Sequence, residues 1–70
     1  MKIDFSGQVA VVTGAGGGIG RAVALALSDI GAKVLLVDLA QDAGLQTQAL
    51  IERTGGQALF VKADVSDPEQ

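Results

Sequence analysis

Thr13-Gly14-Ala15-Gly16-Gly17-Gly18-Ile19-Gly20 follows the β-branched run Val9-Ala10-Val11-Val12 and opens a stretch of helical periodicity. A glycine-rich turn between a strand and a helix places unpaired backbone N–H groups, and the positive end of the helix dipole, where a diphosphate can approach without any cationic side chain. Gly14 suits the tight turn out of the strand, Gly18 removes a Cβ from the path of the diphosphate, and Gly20 lets the helix lie close to the strands. Gly17 completes the open loop, and Ile19 is expected to pack down into the core. Counted from Gly14, the G-x-G-x-x-G spacing would require a glycine at position 19, which is Ile19; the residues fit T-G-x-x-x-G-I-G instead. Gly14, Gly17 and Gly20 also satisfy the alternative spacing T-G-x-x-G-x-x-G.

The flanking sequence alternates between two periods. Val9 to Thr13 reads as a first strand with apolar side chains on both faces. From there Ile19, Val23, Ala26, Leu27 and Ile30 form one stripe of a helix, ended by Gly31. Val34 to Asp38 reads as a second strand. Asp42 is a candidate N-cap for a second helix whose stripe is Ala43, Thr47, Leu50, Ile51 and Thr54, with Leu45 off it and Gly55-Gly56 as its stop. Ala58 to Ala63 reads as a third strand. The order βαβαβ with short connections implies parallel strands and right-handed crossovers, which place both helices on one face of the sheet and leave its other, equally apolar face uncovered.

Composition excludes several classes. Hydrophobic residues make up 49% of the chain and charged residues 19%, a globular balance rather than a disordered one. The net charge is -3 and the five cations, Lys2, Arg21, Lys33, Arg53 and Lys62, are scattered, so no nucleic-acid surface is expected. The first apolar run is too short for a signal core or a membrane span, and the expectation is a soluble, cytoplasmic protein. With no cysteine and no histidine, neither a disulfide framework nor a metal site is expected.

Asp38 stands at the end of the second strand, 24 positions after Gly14, where a carboxylate can accept hydrogen bonds from the ribose hydroxyls of an adenine dinucleotide. It would repel a 2′-phosphate, and the residue that follows it, Leu39, carries no cation to offset that. Arg21 is the nearby cation that could oppose this preference. The expected cofactor is therefore NAD, with NADP less favoured.

At this point the chain resembles the short-chain dehydrogenase/reductase family, in its classical branch, over essentially all 70 residues. Phe5-Ser6-Gly7-Gln8-Val9 is similar to the family's lead into its first strand, Thr13 to Gly20 to its cofactor loop, and Asp64-Val65 to its adenine-contacting dipeptide. The resemblance implies the N-terminal βαβαβ half of a doubly wound, parallel-sheet Rossmann fold. It implies that the Asp64 side chain accepts from the adenine amino group and that the Val65 amide donates to the ring. It further implies hydride transfer between NAD(P) and an alcohol or ketone, a small-molecule substrate, and a homodimer or homotetramer.

The family's chemistry uses a Tyr-x-x-x-Lys pair assisted by a Ser, and this sequence has no Tyr, so no catalytic residue is assigned. Ser6 and Ser28 do not match the family's serine. Ser66 with Glu69, or Asp67-Pro68, signals a further helix start. Residues 1–70 are accordingly expected to be the cofactor-binding half-domain of a longer single-domain oxidoreductase, aggregating or partly ordered in isolation. A non-catalytic dinucleotide sensor, or a degenerate member of the family, is the alternative.

Overall fold

The structure, a computed structural model, describes residues 6–64. In chain order these form β1 (Val9–Thr13), α1 (Gly18–Asp29), β2 (Lys33–Asp38), α2 (Gln41–Arg53) and β3 (Gln57–Lys62). The strands make one parallel sheet in the order β1-β2-β3. Thr13 is level with Val37, and Asp38 with Lys62, so the carboxyl ends of all three strands reach the same edge.

Both helices pack on one face. Val12, Val34 and Leu36 from the strands, Ala15 from the loop, Ala24 of α1 and Ile51 of α2 form a buried cluster flanked by Leu25, Leu27, Ala58 and Phe60. Strand side chains alternate between faces, and Val9, Val11, Leu59 and Val61 are exposed. Among the described residues, the apolar face expected from the crossover rule has no covering element. Gln48 of α2 shields the outer strand: its Oε1 accepts from the Phe60 N–H at 2.9 Å.

The helix boundaries follow local chemistry. Gly31 (φ +100°) and Gly55 (φ +89°) take the left-handed conformation one residue after the C-caps Ile30 and Thr54, as the glycine stops predict. Asp42, however, is not the N-cap of α2. That position is Ala40, because the Asp38 carboxylate has already turned the chain by accepting the Ala40 N–H at 3.0 Å, an Asx turn. β2 and β3 each begin one residue earlier than the apolar runs suggest, and β3 ends at Lys62.

The stripe of α1 is also corrected. Ala24 is the residue of this helix that is fully enclosed, while Ile19 is 85% exposed and Val23 44%. The helix turns its Gly20-Ala24-Leu27 line to the sheet because Gly20 permits the closest approach, and Ile19 therefore does not enter the core. On α2 the buried residues are Gly44, Thr47 and Ile51. Thr54 is exposed and Leu45 is exposed as expected. Gly44 is buried because the Phe60 ring occupies the space that a Cβ would need.

Candidate nucleotide-binding edge

The site is built where β1 and β2 end. Gly14 leaves β1 with φ +66° and donates its N–H to Val37 O at 2.8 Å, so the loop begins as an extension of the sheet. The Gly17 N–H closes the turn on Gly14 O at 3.1 Å. A Cβ on Gly20 would collide with that same Gly14 carbonyl, which is why the helix can start only with glycine at this point.

Gly17 is the N-cap of α1, with no side-chain cap and no acidic residue in the first turn. The first helical N–H to find an acceptor is that of Arg21, 2.8 Å from Gly17 O. The N–H groups of Gly18, Ile19 and Gly20 have no acceptor within the described residues. They are uncapped donors at the positive end of a twelve-residue helix. Among the described residues nothing lies within 4 Å of the position a Gly18 Cβ would take, so they leave this turn open to an anion. The Ile19 side chain points to the open as well, and its contribution to the edge is its amide.

Asp38 stands beside the loop. Its Oδ2 accepts the Gly16 N–H at 2.9 Å and its Oδ1 the Ala40 N–H at 3.0 Å. Those two bonds, Ala40 first, hold its carboxyl below the ordinary carboxylate value, with a smaller contribution from Leu39 N–H and an opposing one from desolvation. These bonds do not exhaust the lone pairs of the carboxylate, which keeps acceptor capacity for a hydroxyl donor. Leu39, expected at the site, is exposed next to it. Asp64 is half-buried, following Ala63, whose N–H donates to Asp38 O at 3.1 Å. Val65 lies outside the described residues, as do Phe5 and the helix signal at 66–69.

Three residues were not singled out correctly by sequence reasoning. Gly16 falls on an unspecified position of the motif, yet its N–H holds Asp38, and a Cβ there would sit 2.7 Å from Ala43 Cβ and 3.0 Å from Asp38 Oδ2. Thr47 read as part of an apolar stripe, but its buried hydroxyl donates to Ala15 O at 2.9 Å. Arg21 read as a cation opposing the site. Its Nε instead donates to Thr47 Oγ1 at 2.9 Å and its Nη2 to Ala43 O at 3.1 Å, so it is committed to α2. A polar residue on a helix stripe was the available signal for Thr47; the other two had none.

Among the described residues no group of three His, Cys, Asp or Glu could hold a metal ion, and no helix is long and apolar enough to cross a membrane. A cleft of about 300 Å³ bounded by Ser28, Gly31, Lys33 and Gly56 lies at the opposite end of the sheet, away from the carboxyl edge where open α/β sheets bind ligands.

Residues 8–70 match the family model for short chain dehydrogenases. An uncharacterized oxidoreductase of Thermotoga maritima is 42% identical over 69 residues, covering 97% of this chain and 28% of that protein. The human 15-hydroxyprostaglandin dehydrogenase [NAD(+)] is 48% identical over 70 residues, covering 97% of this chain and 26% of that protein. Among solved structures, a metagenomic short-chain oxidoreductase in complex with NADP superposes with a TM-score of 0.89 at 40% identity, covering 93% of this chain and 29% of that one. The chain therefore spans little more than a quarter of the relatives it matches. With its parallel βαβαβ order, its glycine turn and a match over nearly its whole length, the chain belongs to the short-chain dehydrogenase family.

Proposed function

We propose that this chain is the nucleotide-binding half of an oxidoreductase that transfers hydride between NAD and an alcohol or ketone. The observation that carries the reading is the pairing of three uncapped N–H groups, at Gly18, Ile19 and Gly20, with the Asp38 carboxylate beside them. The amides would hold the diphosphate, and the two oxygens of Asp38 would accept from the vicinal ribose hydroxyls. Gly14, Gly17 and Gly20 shape the turn, Leu39 borders the ribose, and Asp64 with Val65 would receive the adenine. When bound, the nicotinamide supplies the hydride acceptor or donor; these residues bind and orient it.

NAD is favoured over NADP because a 2′-phosphate would meet a carboxylate whose lowered pKa keeps it ionised, while Arg21 is turned away into α2. We further infer that the chain acts as part of a longer, single-domain cytoplasmic enzyme forming a homodimer or homotetramer, with the substrate held outside these residues. Calorimetric titration of the natural polypeptide carrying this sequence tests the assignment: NAD should bind with a larger affinity than NADP, and absence of heat with both would refute it.

A further inference from the structure

The Ala15–Gly16 peptide is gripped from both sides. Its carbonyl accepts from Thr47 Oγ1 at 2.9 Å, and its N–H donates to Asp38 Oδ2 at 2.9 Å. Thr47 is fully buried, and its single proton has two possible acceptors, Ala15 O and Ala43 O at 3.2 Å. Ala43 O already receives Arg21 Nη2 at 3.1 Å, so the proton is directed to the shorter bond with Ala15. The Arg21 Nε–H donates to Thr47 Oγ1 at 2.9 Å, so the hydroxyl accepts from Arg21 while its own proton goes to Ala15 O.

We propose that Thr47 is a positioning residue for nucleotide selection, fixing the plane of the Ala15–Gly16 peptide so that Gly16 N–H aims the Asp38 carboxylate and Arg21 stays out of the ribose site. The proposal rests on the assignment of this edge to NAD and adds to it a residue on the opposite helix. Without the hydroxyl, the buried Ala15 carbonyl loses its partner, the peptide is free to rotate, and Asp38 Oδ2 loses its donor. The guanidinium of Arg21 loses its Nε acceptor at the same time. Both changes weaken the hold on ribose hydroxyls and relax the exclusion of a 2′-phosphate.

The test compares Thr47→Val, which keeps the shape, Thr47→Ser, which keeps the hydroxyl, and Thr47→Cys, a weak donor, in the natural polypeptide carrying this sequence. Two quantities are read: the carboxyl titration of Asp38 by NMR without nucleotide, and the ratio of NAD to NADP affinities. In Thr47→Val the Asp38 titration moves up toward the ordinary carboxylate value and the ratio falls about tenfold, the scale of one lost buried hydrogen bond. Thr47→Ser retains both, and Thr47→Cys lies between. Unchanged values in a cooperatively melting Thr47→Val, or an equal fall in Thr47→Ser, overturn the proposal. If Thr47→Val does not fold, the difference between Cys and Ser decides in the same way. Should the unaltered protein bind neither nucleotide, the NAD assignment fails and the selection role falls with it, while the Asp38 titration still separates that failure from a failure of Thr47 to position the carboxylate.

Discussion

Gly16 and Asp38, 22 residues apart, are joined by a 2.9 Å hydrogen bond from the loop N–H to the carboxylate. The bond makes the end of β2 part of the glycine loop. It also means that the acid expected to read the ribose is held by backbone N–H groups of the chain itself. Replacing Asp38 by Ala should therefore weaken NAD about 10- to 100-fold, the scale of hydrogen bonds to a charged acceptor, and weaken NADP less. Paired titrations with the two nucleotides measure the difference.

The pH dependence follows from the same two bonds. Asp38 has its pKa lowered in the folded state, first by Ala40 N–H and then by Gly16 N–H. A group of this kind stabilises the fold above its unfolded value, about 3.9 for Asp, and that stabilisation is lost as pH falls through the lower folded value. The loop contribution should be flat from neutral pH down to the ordinary carboxylate range and disappear only below it. Melting curves of the native protein and Asp38→Asn, run through the acid range, should converge at the acid end.

Two glycines of one helical turn should separate stability from binding. Gly20→Ala drives a Cβ into the Gly14 carbonyl and should cost about 3 kcal/mol, the upper range for overpacking. Gly18→Ala meets open space and should change stability by no more than about 0.5 kcal/mol. On the proposed diphosphate site its methyl would stand in the ligand's path, so nucleotide affinity should fall. Thermal melts and titrations on both variants distinguish the two effects.

The exposed residues Val9, Val11, Leu59 and Val61 form an apolar sheet face without a covering layer in this structure. The 70-residue chain on its own should self-associate in a concentration-dependent way. Leu59→Lys should reduce that association, as read by sedimentation; a monomer at all concentrations would contradict the expectation.

The strand and helix order was legible in the sequence because the apolar period changes at each glycine. The placement of Asp38 beside the Gly14 turn was legible because their spacing is dictated by the length of a strand-helix-strand unit. The orientation of α1 was not: Ile19, Val23 and Ala26 make an equally good stripe, and only the close contact of Gly20 with Gly14 selects the other line. Asp42 failed as a cap because a carboxylate four residues earlier had already turned the chain. Thr47 was legible as an inward position of α2, but its hydrogen bonds and those of Arg21 were not, because side-chain hydrogen bonds across two helices leave no period behind.

The pairing of Thr13 with Val37 carries a consequence for how this edge can change over evolutionary time. A single residue inserted within β2 would shift Asp38 by about 3.3 Å and flip it to the opposite side of the pleat, beyond reach of Gly16. Insertions in the turns at Gly31 or Gly55, by contrast, leave the ladder intact. Length variation among descendants should accumulate at those two turns and be purged from the central strand.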